Sequence, residues 1–133
     1  MFAFYRTPQE RAFAKNFKLA QSGDAEASLA LAQAYAQGNG TKKNIDQALE
    51  WYQQASAHGL AQAAWELSQI YTRGEDVPAD AEAALSYLQL AAQDDYAPAQ
   101  YELGNLYLQG KQLPLHLGQA LYWYARAAQN GSS

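Results

Sequence analysis

Ala48-Leu49-Glu50-Trp51-Tyr52, leading to Ala55-Ser56, returns as Ala84-Leu85-Ser86-Tyr87-Leu88 with Ala91-Ala92, and again as Ala120-Leu121-Tyr122-Trp123-Tyr124 with Ala127-Ala128. The copies begin at 48, 84 and 120, a fixed spacing of 36 residues. Self-similarity at such a period marks a tandem-repeat array, in which each unit buries its apolar face against its neighbours. The same spacing aligns Ala27, Ala63 and Ala99, then Leu31, Leu67 and Leu103, then Tyr35, Tyr71 and Tyr107, and finally Gly38, Gly74 and Gly110. No insertion breaks the register.

Working outward, each repeat reads as two helices, A and B, separated by a glycine-initiated loop. In the first, Gly23 ends the preceding helix, Asp24 caps helix A from about Ala25 to Gln37, and Gly38 supplies a left-handed stop. Asn44 then caps helix B, from Ile45 to His58. The second copy runs helix A from about Ala61 to Arg73 and uses Asp80 as the cap of helix B. Asp95 stands where a closing glycine is expected, a mild departure because Asp tolerates the left-handed region. In the third, Pro98 opens helix A and helix B finishes near Asn130-Gly131. Ahead of the repeats, Thr7-Pro8-Gln9-Glu10 has the form of a capping box, and Phe13 falls in phase with Leu49. The spacing thus predicts an N-terminal capping helix within 1–22, then repeats at 23–58, 59–94 and 95–131. Seven helices and an all-α fold follow.

Composition narrows the function classes. The chain of 133 residues has 49% apolar content and a net charge of −4. That balance speaks against nucleic acid, which needs clustered Lys and Arg to neutralise phosphates. The charge is uneven, since Arg6, Arg11, Lys15, Lys18, Lys42 and Lys43 lie within the first 43 residues. Arg11, Lys15 and Lys18 share a helix face, read here as solvated or as a site for an acidic partner. The absence of cysteine removes disulfides, thiolate nucleophiles and Cys-based metal sites. The opening Met1-Phe2-Ala3-Phe4-Tyr5-Arg6 is too short and too soon interrupted for a signal peptide, and no apolar run approaches a membrane span. The expectation is a soluble, cytoplasmic chain without membrane insertion, periplasmic or secreted only if Met1 is not the natural start.

Residues that could carry chemistry are few. His58 and His116 are out of phase, at the end of one B helix and the start of another, without a nearby ligand or nucleophile partner. Glu66 and Glu102 occupy equivalent positions in successive A helices. Stacked repeat helices stand roughly 10 Å apart, so the two glutamates read as rim or surface charges rather than an acid/base pair. Gly38 to Gly40 follows a helix instead of a strand and lacks the Gly-Lys-Ser/Thr of a phosphate loop. No catalytic residue, metal site or cofactor is expected.

Ala99-Gln100-Tyr101-Glu102-Leu103-Gly104-Asn105-Leu106-Tyr107-Leu108-Gln109-Gly110, with Ala120 to Gly131, closely resembles the consensus of the Sel-one-like repeat (SLR), a relative of the tetratricopeptide repeat. The likeness extends from Gly23 to Gly131. Ala32 and Ser68 replace the usual helix-A glycine kept at Gly104, and Gly40 of the first loop becomes Asp76 and Gln112 in the others. The resemblance implies a right-handed α-α superhelix, a solenoid, acting as a non-enzymatic protein–protein interaction module, an adaptor or scaffold. It also implies that the A helices line a concave face binding a protein or peptide. By register that face comprises Leu29, Trp65 and Tyr101, then Gln33, Gln69 and Asn105, then Gln37, Arg73 and Gln109. Amides can pair with a peptide backbone in both directions, and Trp and Tyr carry hot-spot energy. Trp65 and Tyr101 can equally be packing residues. Trp123 and Tyr124, with no following helix in the sequence, are expected to stand exposed at the C-terminal end and to offer an interface, with a homodimer the simplest form.

Overall fold

The computed structural model describes residues 6–131. The opening Met1-Phe2-Ala3-Phe4-Tyr5 stretch read above lies outside them. Among the described residues there are seven helices and no strand: α1 Pro8–Gln21, α2 Ala25–Gln37, α3 Ile45–Ala57, α4 Ala61–Arg73, α5 Ala81–Gln93, α6 Ala97–Gln109 and α7 Leu117–Gly131. The chain is an all-α helical repeat.

Side-chain caps set most of the helix starts. Thr7 Oγ1 accepts from the Glu10 N–H at 3.0 Å while Glu10 Oε1 accepts from the Thr7 N–H at 2.8 Å, so the capping box at α1 is complete. Asp24, Asn44 and Asp80 each accept from the backbone N–H three residues on. His116 does the same for α7, its Nδ1 accepting from the Gln119 N–H at 3.0 Å. That histidine is a cap, which explains its place at a helix start. Gly38, Gly74 and Gly110 all sit at positive φ, near +70°. Asp95 adopts φ +67° in the place of a glycine.

Two compact units divide the chain inside α4, between Ala63 and Ala64. In the first, the apolar face of α1 lies on α2 around Ala20, Ala27 and Leu31, with Phe13, Phe17 and Trp51 packed against them. Edge-on ring pairs, Phe13 with Tyr35 at 5.2 Å and Phe17 with Trp51 at 6.0 Å, fix α1 against α2 and α3. α1 thus packs on the first helix pair. Gly40 shows why its loop differs from the others: at φ +78°, a Cβ there would collide with the Gln9 backbone carbonyl.

In the second unit, Ala64, Leu88, Ala91, Ala92, Ala99, Leu103 and Trp123 form the core, with Trp65, Leu85, Tyr96, Leu106, Tyr107 and Leu113 packed around it. Small residues let α4, α5, α6 and α7 approach closely, and the large ones fill what remains. Gly104 is the extreme case. A Cβ there would stand 2.9 Å from the Tyr124 ring, so glycine is what allows α7 to lie on α6.

Candidate functional site

Of the nine residues expected along the A helices, the structure puts some in the interior. In the first unit Leu29 is 5% exposed, because α2 is buried around most of its circumference from Ala27 to Ala32. It contributes core, not open surface, which corrects the expectation. Gln33 is half-buried and Gln37 exposed. In the second unit Trp65 is half-buried, packed on the core with its ring 5.8 Å from that of Tyr96. Arg73 and Gln109 are exposed.

Tyr101 is different, with 59% of its surface in water. Its ring rests 5.5 Å from Tyr124, whose hydroxyl donates to Asn105 Oδ1. Tyr101, Asn105, Leu108 and Gln109 share one stripe of α6, and Leu108 is also half in water. The surface continues onto α7, where Leu117, Leu121, Tyr124 and Ala128 follow at helical spacing and Leu117 and Leu121 are 63% and 70% exposed.

The expected pair at this end needs correction. Trp123 is only 8% exposed and belongs to the core, because Ala120, Trp123 and Ala127 occupy the inward face of α7. Tyr124 is half-buried and held by Asn105. The open apolar side chains are instead Leu117, Leu121 and Tyr122.

Asp95 anchors a polar cluster that no single repeat foreshadows. It is ion-paired to Arg126, whose guanidinium lies 5.3 Å from the Trp123 ring. Gln100 is fully buried, donating to the Ala92 carbonyl at 2.9 Å and accepting from Asn130 Nδ2 at 2.9 Å. The unusual Asp at this corner, Gln100 and Asn130 could have been read as a polar trio, since each breaks its repeat column.

Glu102 also departs from expectation. It is no rim charge: burial pushes its carboxyl above the usual carboxylate range, partly opposed by a hydrogen bond from Gln69 Nε2 at 3.4 Å. It lines a cleft of about 200 Å³ shared by α4, α5, α6 and the loop after α6. Ser68, Tyr71 and Thr72 come from α4, Leu85 and Leu88 from α5, Leu106 from α6, and Gln112 from the loop. The Tyr71 ring stacks on Tyr87, and burial, Tyr87 and Asp80 together raise its hydroxyl pKa. Among the described residues no group of three or more His, Asp or Glu is placed to hold a metal, and no helix is long and apolar enough to cross a membrane.

A family model of the Sel1 repeat matches residues 25–60, 61–96 and 97–132 in tandem. The chain belongs to the Sel1 repeat family. Among solved structures, this Sel1 chain is similar to a Sel1 repeat protein from Oxalobacter formigenes, at 33% identity and a TM-score of 0.86, over 96% of this chain and 37% of that one. It is also similar to c5321, a protective antigen present in uropathogenic Escherichia coli strains and displaying an SLR fold, at 33% identity and a TM-score of 0.78. That match covers 90% of this chain and 26% of the antigen. The chain thus spans about a third of the length of these relatives. None of the curated proteins matches it significantly. Its fold is a solenoid-like helical repeat, and Sel1 repeats generally serve as non-enzymatic modules for binding other proteins.

Proposed function

We propose that this Sel1 chain is a non-enzymatic adaptor or scaffold that holds a protein or peptide on the exposed side chains of its A helices. The observation that carries this reading is the state of Tyr101. Its ring is mostly in water yet rests on Tyr124, which Asn105 fixes in turn. An aromatic side chain ordered before binding loses little freedom when a partner covers it. Tyrosines in such settings are frequent hot spots. Asn105 and Gln109 extend the same stripe with amides able to pair with a peptide backbone, and Gln37 and Arg73 are exposed on their own helices. The test is capture of partners by the intact chain and by Tyr101→Ala. A hot-spot truncation costs about 2 kcal/mol or more, so capture is expected to fall at least roughly tenfold while the helical circular dichroism spectrum stays unchanged. Equal capture by a folded Tyr101→Ala chain overturns the reading.

A second reading, self-association, is favoured by the stripe of Leu117 and Leu121. On the 36-residue spacing, Leu117, Leu121, Tyr124 and Ala128 correspond to Ala81, Leu85, Leu88 and Ala92 of α5. Leu88 and Ala92 belong to the core there and Leu85 packs on it. The α7 stripe therefore has the pattern that receives an A helix, which a second copy can supply in a two-fold pair. Light scattering at high protein concentration is expected to give a dimer mass for the native chain and a monomer mass for Leu117→Ser combined with Leu121→Ser. A native chain that stays monomeric rules the pair out.

A further inference from the structure

The cleft around Glu102 combines the oxygens of Ser68, Thr72 and Glu102 with an aliphatic wall, and Tyr71 and Gln112 complete its lining. The Ser68 hydroxyl donates to the Trp65 carbonyl at 2.7 Å and the Thr72 hydroxyl to the Ser68 carbonyl at 2.8 Å. Both hydrogens are spent on backbone, so towards the cleft the oxygens act as acceptors, and Gln69 Nε2 already makes a long 3.4 Å hydrogen bond to Ser68 Oγ as well as to Glu102, contacts that an ammonium would replace. Glu102 receives a single long hydrogen bond, from Gln69, although an ionised carboxylate has about four acceptor positions. No cation pairs with it among the described residues. Leu85, Leu88 and Leu106 supply the apolar wall. Leu88 stands where the other repeats carry Tyr52 and Tyr124, and the shorter side chain leaves room that a ring would fill. Ser68 stands where the third repeat has Gly104, so a hydroxyl occurs at this point only in the second repeat.

The surroundings have the same sign. From Glu75 to Glu82 the chain carries Glu75, Asp76, Asp80 and Glu82 and no base. Asp80, flanked by the cleft residues Ala79 and Ala81, lies near enough to Tyr71 to act on its hydroxyl. The basic groups of this region, Arg73 and Lys111, are exposed and do not line the cleft.

We infer that this cleft is a subsite for a lysine side chain of a protein partner, with the aliphatic stem along Leu85, Leu88 and Leu106 and the ammonium at Glu102, Ser68 and Thr72. The match is one of shape and valence. Lysine carries four methylenes and a compact head with three donors, and the cleft offers an apolar wall together with the oxygens of Ser68, Thr72 and Glu102. The planar fork of arginine seeks a bidentate carboxylate, and one carboxylate oxygen here is already engaged by Gln69. A neutral aliphatic side chain would displace water from the half-buried Glu102 without supplying a countercharge. That the lysine belongs to a protein rests on the protein-binding reading above. The chemistry of the cleft does not.

Titrating the intact, isotopically labelled chain with Nα-acetyl-lysine methylamide tests the cleft directly. Saturable shifts are expected at the backbone amides of Ser68, Thr72, Glu102 and Leu106. The norleucine analogue, equal in length but without the ammonium, is expected to bind at least tenfold more weakly. Glu102→Gln is expected to weaken the lysine probe at least tenfold and leave norleucine unchanged, and the isosteric Thr72→Val, at an exposed position, to weaken it severalfold. The inference is overturned by the absence of saturable shifts, by equal binding of norleucine, by shifts confined to Glu75–Glu82, or by full lysine binding in a folded Glu102→Gln chain. Tyr101→Ala separates the two readings. It lowers protein capture if that proposal holds, while the lysine titration, whose residues do not include Tyr101, proceeds as in the native chain.

Discussion

Trp123→Ala is expected to lower the free energy of unfolding by about 3 to 5 kcal/mol, the range for removing a buried large aromatic side chain. The ring is 8% exposed and sits among Ala64, Leu88, Ala91, Ala92, Ala99 and Leu103. Four of those neighbours are alanines, whose methyl groups are fixed to helix backbones and cannot swing into the void. The site therefore collapses poorly, which places the cost toward the upper part of the range. Arg126 also loses the aromatic face above which its guanidinium lies. Urea unfolding followed by circular dichroism measures the loss. A change below roughly 1 kcal/mol would mean that the indole is peripheral to the core, a result incompatible with its burial.

Leu67→Ala is expected to cost about 2 to 5 kcal/mol by the same mechanism. Leu67 is fully buried, as are Leu31 and, to within 1%, Leu103, the other members of its column. On α4 it lies between Ala63, Ala64, Ser68 and Ile70, all buried as well. A domain of this size has a total stability of roughly 5 to 15 kcal/mol, so either substitution removes a large share of it. The measurement is again urea unfolding, with Gln109→Ala as the exposed control, expected within about 0.5 kcal/mol of the native chain. A loss under roughly 0.5 kcal/mol for Leu67→Ala would remove the periodic leucine from the core.

What the sequence discloses and what it hides divide along the range of the interactions. Helix starts were legible because their signals are local: Thr7 with Glu10, Asp24, Asn44 and Asp80 bond within three residues. The leucine column was legible because repetition in register amplifies it. The lack of a following helix in the sequence predicts an exposed Trp123, but covering from within the repeat decides its place. The 3.6-residue period of α7 puts Trp123 in line with Ala120 and Ala127 and sends Leu117 and Leu121 the other way. Glu102 looked like surface because its neighbours in sequence include nothing that buries it. The hydrogen-bond partner and cleft neighbours that half-enclose it come from other helices, Gln69 from α4 and Leu85 and Leu88 from α5. Leu29 was assigned to a surface by register alone, which reports equivalence of position and not of covering.

The corner at Asp95 bears on how freely such repeats can be exchanged. At the equivalent corners Gly23 and Gly59 nothing lies within 4 Å of where a side chain would begin, and backbone conformation alone is served. At Asp95 the same left-handed turn also carries the carboxylate that binds Arg126 and contacts Gln100 and Asn130. Position 100 is a buried glutamine, where the earlier repeats have Ser28 and Ala64. Copying the backbone of one repeat onto another is therefore easy, but transplanting a single helix of the third is not. Its buried amide would keep a donor bond only where the new site offers a backbone carbonyl like that of Ala92, and its Oε1 would lose the Asn130 donor, an unpaired buried acceptor that costs about 1 to 3 kcal/mol. Duplication and recombination in a chain of this kind would be expected to preserve the segment from Asp95 to Asn130 as one inherited block, while breakpoints at the glycine corners pass unpunished.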